Sequence, residues 1–150
     1  MILLDTNLLA RLTDKHHPHN AVARAAVFNL SARREQLVVV PQNLYEFWAV
    51  ATRRAGKKSA GGENGLGMSI TVAQWWVGYF QRRFMLLHDK HDLFRRWQDL
   101  VVARKIRGLP AHDARLVAAM QGHGVTQLLT FNLKDFTGLV PTLIDPVTVQ

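Results

Sequence analysis

Cysteine is absent from the 150 residues. Without it there is no disulfide scaffold and no thiolate metal site, a composition that suits a reducing cytoplasm. No apolar run approaches the roughly 18 residues that a membrane span needs. Asp5 interrupts the first apolar stretch well short of a secretory leader. The expectation is a cytoplasmic protein with no membrane segment. Several catalytic signatures are also missing: no G-x-x-x-x-G-K-S/T phosphate loop, no G-x-S-x-G nucleophile turn, and no pair of histidines at helical zinc spacing around a glutamate. Negative charge is scarce, with 11 acidic residues against 19 Lys and Arg.

The resulting net charge of +8, with a sequence pI near 10.6, is carried largely by doublets: Arg33-Arg34, Arg53-Arg54, Lys57-Lys58, Arg82-Arg83, Arg95-Arg96 and Arg104-Lys105. Such a surface favours polyanions, because each neutralised phosphate releases counterions. Solvated helix faces or contacts to an acidic protein account for the doublets equally well. With 48% hydrophobic residues, the chain is expected to fold as one domain with a real core.

Ile2, Leu3 and Leu4 form an apolar run too short for a helix, which reads as a central strand buried on both faces. Leu8, Leu9 and Leu12 then take up helical spacing. His16, His17 and His19 around Pro18 read as a surface turn rather than a metal site. A helix is expected over 20–34, a second buried strand over 37–40, and a helix over 42–54 with Glu46 in its first turn. The glycine- and lysine-rich stretch near 55–69 reads as a flexible loop. Further helices are expected over 71–83, 90–107 and 110–123. The last is closed by Gly124, while Leu93, Phe94, Trp97, Leu100, Val101 and Ile106 form the buried side of the middle one. Short strands are expected over 85–87, 125–131 and 143–144. Strands alternating with helices predict an α/β fold, a parallel sheet covered on both faces. The aromatic residues Trp75, Trp76, Tyr79 and Phe80 suit packing better than base stacking.

Three of the few acids occupy unusual places. Asp5 ends the first strand, Glu46 follows the second, and Asp113 lies beside the apolar stripe Leu116, Val117 and Met120. Singly, Asp5 is a helix cap and the other two complement helix dipoles. Together they fall on the carboxyl edge of one parallel sheet, where open α/β sheets bind ligands. A carboxylate cluster there suits a hard cation such as Mg²⁺ or Mn²⁺. Asn7, Thr130 and Asn132 lie near the same edge and are placed to orient the acids. His112, beside Asp113, reads as a structural or partner-facing histidine.

Four segments carry a family resemblance: Leu-Leu-Asp-Thr-Asn (3–7), Pro-Gln-Asn-Leu-Tyr-Glu-Phe (41–47), His-Asp-Ala-Arg-Leu-Val-Ala (112–118) and Leu-Leu-Thr-Phe-Asn-Leu-Lys-Asp-Phe (128–136). In order and spacing the chain resembles PIN-domain proteins, specifically the VapC-type ribonuclease toxins of toxin–antitoxin pairs. The resemblance implies a Rossmann-like three-layer sandwich with about five parallel strands and helices on both faces. It also implies divalent-metal-dependent cleavage of RNA, with Asp5, Glu46 and Asp113 as metal-binding acids and Asn7 and Thr130 beside them. Many members carry a fourth acid two residues after the threonine. Asn132 stands there instead, and Asp135 is the nearest substitute. An antitoxin partner and a homodimer are implied as well, with Phe47, Trp48, Trp75 and Trp76 as candidates for either a partner groove or core. Arg53, Arg54, Lys57, Lys58 and Lys134 are the candidate RNA contacts.

Overall fold

The computed structural model describes residues 1–55 and 65–149. Most of the stretch read as a flexible loop near 55–69, including Lys57 and Lys58, lies outside the described residues.

Five short parallel strands form the centre: β1 (Ile2–Leu4), β2 (Leu37–Val39), β3 (Met85–Leu86), β4 (Gln127–Leu129) and β5 (Thr142–Ile144), in the order β3-β2-β1-β4-β5. β1 is central because it has no polar face to offer solvent. Ile2, Leu3 and Leu4 are all buried, with Ile2 and Leu4 packing on one side and Leu3 on the other. Leu3 pairs with Val38 of β2 and with Leu128 of β4. The chain runs outward from β1 to β2 and β3, then returns to the other side of β1 with β4 and β5. The strand order therefore reverses between β1 and β4, which opens a crevice beyond their carboxyl ends.

Helices cover both faces. Helices α1 (Thr6–Thr13), α2 (Asn20–Ala32), α3 (Pro41–Thr52) and α4 (Ile70–Arg83) bury Leu8, Ala26, Phe47 and Phe80 against the Ile2/Leu4 side. On the Leu3 side, α5 (Leu93–Ala103), α6 (Pro110–His123) and the short α7 (Leu133–Phe136) contribute Leu93, Leu116, Val117, Met120 and Phe136. This is the expected three-layer α/β sandwich. Gly124 closes α6 in the left-handed region at φ 66°, as its position predicted.

Several boundaries differ from the sequence reading, each for a local reason. α3 starts at Pro41, the first-turn position for which proline is suited, so Glu46 lies in the second turn rather than the first. The helix expected over 90–107 is shorter at both ends. Lys105 adopts φ 52°, and Ile106 N–H donates back to Val101 O at 2.9 Å. That reverse bond ends the helix before Gly108 is reached. Regular pairing in β4 covers only the middle of 125–131. The aromatic stripe of α4 divides: Phe80 is buried edge-on to Phe47 with centroids 5.0 Å apart, whereas Trp75 is 56% exposed. Phe94, expected on the buried side of α5, is 67% exposed.

Candidate active site

Asp5 leaves the carboxyl end of β1 where the crevice opens. Its side chain has two roles, one on each oxygen. Oδ1 accepts the Thr6 N–H at 2.6 Å and caps α1. Oδ2 accepts Asn7 Nδ2 and the Thr130 hydroxyl, each at 2.6 Å. Asn7 Nδ2 also donates to Thr130 Oγ1 at 3.0 Å, and Asn7 Oδ1 accepts the Phe131 N–H at 3.3 Å. Capping and edge placement, posed as alternatives in the sequence, are both satisfied by one carboxylate. The bonds from Thr130 and Asn7 also lock the ends of β1 and β4 together.

Glu46 is held from two directions. Thr6 Oγ1 donates to Oε2 at 2.6 Å, and Gln42, one turn earlier on α3, donates to Oε1 at 2.8 Å. Asn43 steadies this helix start by accepting the Val40 N–H at 2.9 Å. The buried Gln42 amide also donates to His112 O at 2.9 Å, and its own oxygen accepts Arg115 Nη1 at 2.9 Å. Arg115 in turn pairs with Asp89 at 2.6 Å. Gln42 and Arg115 were not singled out in the sequence. The four-residue interval between Gln42 and Glu46 places them on one helix face and was the available signal.

Asp113 is half-buried on the first turn of α6 and has no hydrogen-bond donor among the described residues. The acids influence one another across the crevice. Burial pushes Asp5 up to about 7, against the opposing hydrogen bonds from Thr130 and Thr6, and the charges of Glu46 and Asp113 add to the rise. Burial likewise pushes Asp113 up to about 6, followed by repulsion from Asp135 and Glu46 and opposed by His112. Asp135, exposed on α7, thus belongs electrostatically to the acid edge. Asn132 is exposed, and its N–H engages the site by donating to Thr130 Oγ1 at 2.9 Å.

The candidate basic residues divide by position. Lys134 adjoins Asp135 on α7. Arg53 and Arg54 follow the far end of α3, seven or more residues beyond Glu46 and thus on the order of 10 Å along the helix axis. They are not brought to the acids.

Among the described residues, no three His, Cys, Asp or Glu side chains are closely enough drawn together to hold a metal ion. The donor chemistry nevertheless fits a hard divalent cation. The acids offer only oxygen, two are pushed toward neutrality by burial and mutual repulsion, and Arg115 is already committed to Asp89 and Gln42. A divalent cation would relieve this repulsion.

No family model and no curated protein matches the chain. Solved structures do. The chain is similar to VapC20 of Mycobacterium tuberculosis, a sarcin-ricin loop cleaving toxin, at 19% identity and TM-score 0.61 over 85% of this chain and 87% of that one. It is similar to a toxin–antitoxin complex from Klebsiella pneumoniae at 21% identity and TM-score 0.65, over 97% and 98% of the two chains. VapBC2 of Rickettsia felis, bound to a promoter DNA fragment, aligns at 17% identity and TM-score 0.65, again over 97% and 98%. The chain has the PIN-domain fold. The likeness read from four short segments is thereby borne out for the fold. The PIN sheet order places the ends of β1 and β4, with Asp5 and Thr130, at the reversal point where ligands of such sheets bind.

Proposed function

We propose that this chain is a divalent-metal-dependent endoribonuclease, the toxin of a VapBC-type toxin–antitoxin pair. What supports the reading is the electrostatic influence that Glu46 and Asp113 exert on Asp5, and Glu46 and Asp135 on Asp113, at the crevice of a PIN fold whose solved neighbours include a sarcin-ricin loop cleaving toxin. Asp5, Glu46 and Asp113 would hold Mg²⁺ or Mn²⁺. Such an ion supplies Lewis acidity for the scissile phosphate and acidifies a water.

The remaining work falls to the chain's own side chains. Thr130 and Asn7 fix the Asp5 carboxylate, and Thr6 and Gln42 fix that of Glu46, so neither must be ordered when RNA arrives. Asp113, with no hydrogen-bond donor among the described residues, is freer than Asp5 or Glu46 to turn toward a ligand. The positive surface draws the RNA backbone in, and Lys134 offers a cation beside the acids. The test is cleavage of structured RNA in Mg²⁺, Mn²⁺ or EDTA, alongside Asp5→Asn. Metal-dependent cleavage lost in the variant is expected; equal cleavage by both proteins excludes this centre.

An antitoxin and a second copy of the chain are the proposed protein partners. The exposed Trp75 on α4 supports a hydrophobic contact. Light scattering of the purified chain at micromolar concentration should give the mass of a dimer. A second reading, a PIN-like RNA- or partner-binding protein with a weakened metal site, is favoured by Asn132, an amide where a fourth acid is expected. It predicts RNA binding without metal-dependent turnover. No helix among the described residues is long and apolar enough to cross a membrane; a cytoplasmic location is part of the proposal.

A further inference from the structure

A cleft of about 620 Å³ opens between the start of α5 and the start of α6. Its apolar wall is Phe94 and Trp97, with ring centroids 5.6 Å apart and planes tilted by 43°. The Trp97 indole is fixed, since its N–H donates to Ala111 O at 2.8 Å. Phe94 lies 67% exposed beside it, a large ring that the fold leaves uncovered. Lys90, His112 and Arg115 also line the cleft, with Asp89 paired to Arg115 at 2.6 Å. The inner end of the cleft is tied to the acid edge by a continuous chain of bonds, Arg115 to Gln42 at 2.9 Å and Gln42 to Glu46 at 2.8 Å. His112 borders the cleft and immediately precedes Asp113.

We infer that this cleft is a nucleobase subsite: it takes an unstacked base of single-stranded RNA on the Phe94–Trp97 wall while the adjoining phosphate lies at the acid edge. The inference rests on the ribonuclease reading and deepens it by naming how the substrate is gripped. A nucleotide next to the reacting phosphate presents a π-face and an anionic backbone together. The cleft matches the first with aromatic rings and the second with Lys90. Continuity with the carboxylates favours RNA over a peptide, because a base in the cleft leaves its own phosphate within a nucleotide's length of Asp113.

The test uses single-stranded RNA carrying 2-aminopurine at each position in turn, bound to the Asp5→Asn protein so that the RNA stays whole. Quenching of the probe at one position is expected. Phe94→Ala should weaken binding about tenfold, the size of one base–aromatic stack, and Phe94→Tyr should restore it. An abasic nucleotide at that position should cost the same tenfold with Phe94 present and nothing without it. Phe94 is exposed, so its truncation leaves the core intact, which circular dichroism checks. Quenching at no position, or an equal abasic penalty in both proteins, overturns the subsite. So does a Phe94→Ala protein that loses its dimer or its hold on an antitoxin while binding RNA normally, since the cleft is then a protein interface. If the wild type fails to cut RNA while the binding pattern holds, the ribonuclease reading falls and the base subsite stands.

Discussion

Replacing Asp5 by asparagine removes a carboxylate that accepts three hydrogen bonds, and yet it is expected to stabilise the metal-free protein at neutral pH. Folding raises the Asp5 carboxyl from 3.8 to about 7, chiefly through burial. The native state therefore holds a proton that the unfolded chain releases between about pH 4 and pH 7. Stability falls with rising pH across that window, by up to about 1.4 kcal/mol per unit, and the full penalty near pH 8 is roughly 4 kcal/mol. The half-buried Asp113, pushed up to about 6, adds in the same direction but is more screened by solvent. Asparagine escapes this penalty. Its oxygen can still accept the Thr6 N–H, but its amide would then face Asn7 Nδ2 donor to donor, which costs about 1–3 kcal/mol. The net expectation is a gain of about 1–3 kcal/mol at pH 8, or roughly 2–10 °C in Tm for a chain of this length. Below pH 4 wild-type Asp5 is protonated and the variant becomes the less stable of the two. Thermal unfolding in EDTA at pH 4, 6 and 8 measures this crossing. Mn²⁺ added at pH 8 should raise the wild-type Tm more than that of the variant. A difference between the two proteins that does not change with pH refutes the argument, because it would mean that Asp5 carries no burial penalty for a cation to relieve.

The other predictions probe the supports of the acids. Gln42→Ala frees Glu46 Oε1 and leaves Arg115 to Asp89 alone, so kcat for RNA cleavage should drop about 10- to 100-fold with KM little altered, and Gln42→Glu should not rescue it, because a carboxylate there repels Glu46. Asn132→Asp places a fourth acid two residues after Thr130; Mn²⁺ affinity by calorimetry should increase about tenfold or more, and unchanged affinity would mean that Asp135 already fills that role. Ser69 caps α4 by accepting the Val72 N–H at 3.3 Å, so Ser69→Ala should cost about 1 kcal/mol in urea unfolding while leaving cleavage unaffected.

The fold was legible because its strands are short apolar runs separated by helices with clear periodicity. Met1 aside, every residue up to Leu4 is buried, and a run of that kind has no place except the middle of a sheet with both faces covered. Where the reading failed, local backbone chemistry decided. The reverse bond from Ile106 to Val101 ended α5 early, and nothing in a hydrophobic pattern announces a lysine in the left-handed region. Phe94 and Trp75 were read as packed because apolar periodicity shows which residues share a face, but not whether the fold supplies anything to cover it.

The site was legible to a different depth. Asp5, Glu46 and Asp113 stood out because acids are rare in this basic chain and lie next to apolar stripes, so their burial is an anomaly that sequence can register. Asn7 and Thr130 beside Asp5 were legible too, but the supports of Glu46 were not. Thr6 and Arg115 act through partners some 40 and 70 positions away, and Gln42 adds to its bond with Glu46 one turn on a contact some 70 positions away. The two depths have one physical origin. Gathering carboxylates in a crevice costs stability, and the protein concentrates neutral donors around the two acids it must hold still, Asp5 and Glu46. Asp113 is left without such a donor and faces Asp135 unshielded. Asp113 and Arg115 lie two positions apart on α6 and so point to different sides of the helix, which leaves the guanidinium to Asp89 and Gln42. Helix geometry thus leaves the repulsion between Asp113 and Asp135 in place, and the divalent cation proposed above would relieve it.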